Sequence, residues 1–238
     1  ERAVEATQLL RQALTLNPGE PTWQLELANA LIELDEKLEA QQIIDGVIAR
    51  DPTLAKAYFI RAKTRFGNID LTKCVLLSPA SHRAINNLGV VKLRQGDLNA
   101  VVPLYKKASL IAPDDPSVRW GLANGLLATG NLEKGWREAR WRHKKPELLI
   151  ERKGLPEEWQ GEEIKNGKLL VYHEQGIGDE LRFASCFKDL THKVSAPCII
   201  ETDPRLAPLF SRSFPEIEFI SKLPRSKTAI PNVDYSHI

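Results

Sequence analysis

The chain has 238 residues, enough for one or two domains with a sizeable core. Apolar residues make up 42% and charged residues 27%; 33 Lys and Arg against 31 Asp and Glu leave a net charge of +2. That balance gives no global electrostatic case for nucleic acid or a membrane surface. No apolar run approaches the roughly 20 residues a bilayer span needs, and no signal-peptide pattern opens the chain. Cys74, Cys186 and Cys198 include no Cys-x-x-Cys pair. They read as reduced thiols of a cytoplasmic protein rather than a disulfide framework, and no metal site or cofactor is expected. The sequence starts at Glu1 and contains no Met, where average usage of about 2% would give about five. The expectation is a portion of a longer chain.

Taken in order, the first 145 residues carry a period. Pro18 and Pro52 stand 34 residues apart, as do Pro79 and Pro113. Ala6, Leu10 and Ala13 precede Pro18 by 12, 8 and 5 residues; Ala40, Ile44 and Val47 precede Pro52, and Val101, Tyr105 and Ala108 precede Pro113, at the same offsets. After the prolines, Leu27-Ala28, Leu88-Gly89 and Leu122-Ala123 recur at 9 and 10 residues. Each proline stops one helix and prepares the next, and the small residues let antiparallel helices approach closely. This pattern resembles the tetratricopeptide repeat. Its first copy is a second helix only. The copy between Pro52 and Pro79 is seven residues short, read either as a degenerate repeat or, preferably, as one that lacks a loop near Arg65-Phe66-Gly67, with no room for a full second helix.

Such repeats stack into a superhelix with a concave groove. The resemblance places the first helix of each repeat on that groove. On matching positions it carries Leu25, Asn29 and Ile32, then Arg83, Asn86, Val90 and Leu93, then Trp120, Asn124 and Leu127. Asn29, Asn86, Val90, Trp120 and Asn124 are the candidate peptide contacts, since an asparagine amide bonds an extended backbone without reading its side chains. The alternative is that they are ordinary solvated helix positions.

Between Gly135 and Lys145 aromatic and basic residues crowd together: Trp136, Arg137, Arg140, Trp141, Arg142, His143 and Lys144. They are read as a last helix that caps the stack and docks the next domain, in preference to a nucleic-acid surface. Residues 146–167, punctuated by Pro146, Gly154, Pro156, Gly161 and Gly167 around Trp159, read as a linker.

From Lys168 the periodicity changes. Leu169–Tyr172 is a short apolar strand entering the turn His173-Glu174-Gln175-Gly176-Ile177-Gly178-Asp179-Glu180; a helix, a strand at 197–201, a helix at 205–213 and a strand at 217–220 come after it. Residues 168–238 thus start an α/β Rossmann-like domain, with a ligand expected beyond the carboxyl end of the first strand. The turn is neither a complete G-x-G-x-x-G nor a P-loop. The run from Trp159-Gln160-Gly161 through Glu174–Glu180 to Glu201-Thr202-Asp203-Pro204-Arg205, placed after repeats, resembles bacterial tetratricopeptide glycosyltransferases. These are relatives of the heptosyltransferases with two Rossmann-like halves in the GT-B arrangement.

That resemblance implies Asp179 as catalytic base on an acceptor hydroxyl. It makes His173, Glu174, Gln175, Gly176, Gly178 and Arg182 acceptor contacts. The alternative is that Asp179 caps a helix beginning at Glu180 and the glycines only make the turn. A nucleotide-sugar donor would bind in a second half beyond Ile238. Three strands alone would leave a sheet edge unpaired. Two functions are therefore expected as alternatives: a repeat-linked glycosyltransferase portion whose repeats present a protein or glycan acceptor, and a non-catalytic scaffold that binds a peptide or protein.

Overall fold

The computed structural model describes residues 2–65, 67–144, 158–165, 167–172, 176–221 and 235–237, with backbone only at Arg65 and 235–237. The chain divides into two compact units, Glu1–Leu149 and Ile150–Ile238.

Among its described residues the first unit is helical: α1 (Arg2–Leu16), α2 (Pro21–Glu33), α3 (Lys37–Arg50), α4 (Ala55–Arg65), α5 (Asn68–Leu77), α6 (His82–Arg94), α7 (Leu98–Ile111), α8 (Pro116–Ala128) and α9 (Leu132–Ala139), followed by a 3-10 turn at Arg140–Lys144. Two turns alternate along it. Before the repeat prolines the chain leaves the helical region, as at Asp51, Ser78 and Ala112, because the proline ring excludes that region there. Its N–H closes the last helical turn: Asn17 to Ala13, Asp51 to Val47, Ser78 to Cys74 and Ala112 to Ala108. Two residues beyond each proline an N–H returns to the same residue's carbonyl, from Glu20, Leu54, Ser81 and Asp115. The side chains of Glu20, Ser81 and Asp115 then cap the next helix.

The other turn joins the two helices of a pair through one left-handed residue: Asp35 at φ 64°, Gly96 at 74° and Gly130 at 80°. Each is followed by a long closing bond, Glu36 N–H to Leu31, Asp97 to Lys92 and Asn131 to Leu126, which satisfies carbonyls the helix end leaves open.

The short copy is a complete pair with a clipped end. Its second helix, α5, has 10 residues where α3 and α7 have 14. The expectation of no full second helix holds in length, yet the helix keeps its register: Leu71 and Cys74 stand 8 and 5 residues before Pro79, both buried. Shortening falls at the pair's loop end, so the proline-end contacts that stack one repeat on the next survive. Where other repeats place Leu27, Leu88 or Leu122, this one has Arg61. Its guanidinium donates to Asp70 (2.6 Å from Nη2) and to Asp45 (2.7 Å from Nη1), and it lies 5.4 Å from the Tyr58 ring centre. Asp70 is buried, and the pair of carboxylates holds the Arg61 guanidinium more firmly protonated than usual.

Tyr105 on α7 is 1% exposed and touches glycines of two neighbouring helices. A Cβ at Gly89 would stand 2.7 Å from its ring, one at Gly121 also 2.7 Å, and one at Gly125 2.8 Å. Helices α6 and α8 therefore approach α7 as closely as a bare backbone allows.

The second unit holds β1 (Leu169–Val171), α10 (Ile177–Phe183), α11 (Phe187–Lys193), β2 (Cys198–Thr202), α12 (Ala207–Ser213), β3 (Glu218–Ser221) and β4 (Tyr235–His237). The four strands form one sheet in the order β3-β2-β1-β4, every pairing parallel. A fourth strand joins the three read from the sequence: β4 pairs with β1, Leu169 opposite Tyr235. The helix after the first strand, read as continuous, breaks into α10, a 3-10 turn and α11. Phe187, Phe210, Phe214 and Phe219 meet edge-on or tilted, with ring centres 5.5–6.4 Å apart, over Ile200 and Val171. Trp159 and Ile164, in the segment read as a linker, pack against Leu169, Val194 and Cys198. Burial pushes the Cys74 and Cys198 thiols up, and Cys186 is exposed. Among the described residues no helix is long and apolar enough to cross a membrane.

Two glycine substitutions separate packing from propensity. Gly46 lies mid-helix in α3 with nothing within 4 Å of a built Cβ, so Gly46→Ala should stabilise by about 0.5–1 kcal/mol. At Gly121 a methyl meets both Tyr105 and the Asn86 side-chain oxygen. Overpacking of about 1–3 kcal/mol then outweighs the helix gain, and Gly121→Ala should destabilise by about 1–2 kcal/mol net in urea unfolding. Burial also pushes the Tyr105 phenol from 10.0 up to about 12. Between those values the unfolded chain releases a proton that the folded chain keeps, so this tyrosine's contribution falls as pH rises. Tyr105→Phe removes the effect. Its stability relative to wild type should rise by about 2 kcal/mol from about pH 9 to about pH 12.

Candidate functional site

On the helical unit the first helices α2, α4, α6 and α8 line up residues at equal distances from their prolines. Eleven residues on stand Asn29, Lys63, Val90 and Asn124; seven on stand Leu25, Phe59, Asn86 and Trp120. The row is tied across repeats. Lys63 Nζ donates to Asn29 Oδ1 at 2.6 Å, and Lys56 Nζ meets Glu26 Oε1 at 2.6 Å. Between α4, α5 and α6 an open cleft is lined by Phe59, Ala62, Lys63, Leu71, Asn87, Val90 and Val91. It lies at the loop end of the shortened pair, the end where α4 and α5 are clipped.

The expected contacts divide. Asn29, Val90, Trp120 and Asn124 are all partly exposed, Asn29 bonded to Lys63 and Val90 lining the cleft. Leu25 belongs to the core, 1% exposed. Asn86 is partly exposed as well, but its Oδ1 is buried without a hydrogen-bond partner among the described residues, turned against Gly121 of the next first helix. That oxygen faces the stack, not a ligand. Lys63 and Asn87, which sequence reasoning passed over, stand at the cleft. The matching offset from Pro52 would have found Lys63.

The basic and aromatic crowd near residue 140 is engaged with itself. Lys144 Nζ lies 3.8 Å and the Arg119 guanidinium 4.9 Å from the Trp141 ring centre. Arg119 also pairs with Glu138 at 3.1 Å, and Arg137 with Glu133 at 2.9 Å. A ring already faced by cations is a poor stacking platform for bases.

In the second unit the helix that follows β1 is α10, whose N-cap is Gly176. Asp179 is the third residue of that helix, so it does not cap one starting at Glu180; its own N–H donates to the Gly176 carbonyl at 2.9 Å. Asp179 is partly exposed, and among the described residues its carboxylate has no hydrogen bond or ion pair. Glu180 does the anchoring: its Oε2 accepts from Thr202 Oγ1 at 2.7 Å and from Asp203 N–H at 2.9 Å, tying α10 to the carboxyl end of β2. Asp203 in turn holds Arg205 through both its oxygens, 2.8 and 2.9 Å.

Gly176 and Gly178 have open space where a Cβ would be, and both have negative φ. Arg182 is exposed. His173, Glu174 and Gln175 lie outside the described residues.

Comparison with known proteins fits the helical architecture. A tetratricopeptide-repeat family model matches residues 1–63. A thermophilic tetratricopeptide protein of Thermus thermophilus superposes with a TM-score of 0.54 at 19% identity, over 63% of this chain and 86% of that one. YrrB, described as a TPR protein with an unusual peptide-binding site, superposes with a TM-score of 0.50 at 16% identity, over 59% of this chain and 76% of that one. The helical unit has the tetratricopeptide-repeat fold. Protein FlbA of Caulobacter vibrioides is 26% identical over 206 residues, which is 81% of this chain and 34% of FlbA. The chain thus spans about a third of that relative's length. A match over 81% of the chain is longer than the helical unit and runs on into the second.

Proposed function

We propose that the repeat array is a scaffold that holds an extended peptide or protein segment along the face of α2, α4, α6 and α8. The observation that carries this reading is the row of partly or fully exposed Asn29, Lys63, Val90, Trp120 and Asn124 at matched repeat positions, with an open cleft beside it. The amides offer a donor and an acceptor to a backbone, and Trp120 offers apolar area. The repeat fold shared with YrrB supports it. Replacing Asn29, Trp120 and Asn124 by Ala should cut capture of the partner that the wild-type chain retains from its native cell extract by at least about tenfold, the loss of about 1.4 kcal/mol. Leu110→Ala, at an exposed position on α7, should leave capture unchanged. Undiminished capture by the triple variant overturns the reading.

A second reading, group transfer to a hydroxyl acceptor at the Gly176–Asp179 turn, is favoured by one observation. Gly178 is the second residue of α10, where alanine is the better helix former, yet neither its φ nor its packing requires glycine. Open backbone beside Asp179, beyond the carboxyl end of β1, is suited to close approach of a ligand. The β3-β2-β1-β4 order supports a Rossmann-like half, and the FlbA match supports repeats and α/β unit as one arrangement. On this reading Asp179 is the base and a nucleotide sugar is bound by residues beyond this chain. In the full-length protein, Asp179→Asn should lower transfer of a sugar by about 10²–10⁴ while leaving the melting curve in place. Transfer at the wild-type rate removes the assignment.

A further inference from the structure

Within the proposed groove the cleft at the clipped end of the α4–α5 pair has its own chemistry. Its floor and walls are apolar: Phe59, Leu71, Val90 and Val91. Its one charged lining group is Lys63, whose Nζ is 5.7 Å from the Phe59 ring centre and bonds a neutral partner, Asn29. Among the described residues no carboxylate lies within ion-pair distance of Lys63, whereas the neighbouring Lys56 is matched by Glu26 and Arg61 by Asp45 and Asp70. Arg83, two turns before Val90 on the same side of α6, also has no ion pair among the described residues. Glu33, one turn beyond Asn29 on α2, is a carboxylate of this face without an ion pair among those residues. On α4 and α6 themselves the stretch is thus apolar, with Lys63 and Arg83 as cations that have no ion pair among the described residues and Glu33 as the one such carboxylate nearby on α2.

We propose that this cleft seats an aliphatic or aromatic side chain of a partner protein's extended acidic segment, with the neighbouring Asp or Glu of that segment on Lys63 Nζ. The carboxylate replaces Asn29 as the partner of Lys63, which leaves the Asn29 amide free to bond the segment's backbone. The segment is internal rather than a chain end, because the row of polar contacts continues on both sides of the cleft, to Asn29 on α2 and Asn124 on α8. This inference rests on the peptide-groove reading and adds to it the chemistry of the occupant.

The test is selection of a phage-displayed library of random 12-residue segments on the purified chain. The enriched sequences are then made as peptides acetylated and amidated at their ends, so that no terminal carboxylate remains. Enriched peptides should carry Asp or Glu beside an aliphatic or aromatic residue. By fluorescence anisotropy Lys63→Glu should weaken them at least about tenfold, and replacing the peptide's acid by Lys should recover binding to that variant. Lys107→Glu, on an exposed position of α7, serves as the charge control and should change nothing. Lys63 is exposed, and unchanged thermal unfolding of each variant confirms that folding is intact. Peptides that lack the acid, or that ignore Lys63→Glu while responding to Asn29→Ala with Asn124→Ala, overturn this inference and leave the groove reading standing. No enriched peptide, or peptides indifferent to every groove substitution, overturns both.

Discussion

The Tyr105 ring packs where α6 and α8 carry glycines in place of side chains, and the close fit holds those helices against α7. Gly89, Gly121 and Gly125 are the other half of that contact. Because a ring this deeply buried contributes a large apolar area and close packing leaves nowhere for an added methyl, the contact sets where the first helices stand relative to one another. It also places Asn86, whose oxygen is pressed onto Gly121 in the gap the glycine leaves. The face that carries Val90, Trp120 and Asn124 is the outer side of this same packing: Val90 packs on the Tyr105 cluster from α6.

The shortened repeat shows what a stack can lose. Each helix pair contacts its neighbours through residues counted from the prolines, so removing residues at the loop end keeps Leu71 and Cys74 in place. What changes is the local chemistry. An arginine stands at a leucine position, where two carboxylates match its charge and Tyr58 meets its guanidinium. A partly buried ion pair of this kind is weak evidence for stability, since desolvation offsets most of the attraction. Its clearer effect is to fix one arrangement of α4 against α3 and α5, beside the cleft.

The repeat was legible because its signals are local. The prolines and the small residues at fixed offsets each act within a few positions, and the chain repeats them. The order of strand, glycines and helix after Lys168 was legible for the same reason, although the helix starts at Ile177, inside the stretch read as a turn. The features that escaped join residues far apart. That the Asn86 oxygen is buried against Gly121, on the next first helix, cannot be read along the chain. Glu180 looks like a bystander to Asp179 until Thr202 and Asp203 arrive at its carboxylate. The boundaries of α10 and α11 were blurred because apolar spacing continues through the 3-10 turn between them. Strand β4 is three residues, Tyr235–His237, with no alternation long enough to announce it. That Gly176 and Gly178 are free of any conformational demand is a fact of three dimensions; the sequence shows only that they are glycines.

The two units differ in when they can be completed. Every contact of Tyr105 with its glycines spans 16 to 20 residues, so each repeat can close on the one before it as soon as its own helices have emerged from the ribosome. The sheet cannot grow in this way. Strand β1 gains β2 early, Leu169 pairing with Cys198, but its other edge stays open until Tyr235–His237 arrives, 66 residues after Leu169. Through that interval an apolar strand presents unpaired backbone groups to whatever is nearby. The strand order that surrounds β1 on both sides therefore makes it the last part of this chain to be sheltered during synthesis, while the repeats ahead of it are already packed.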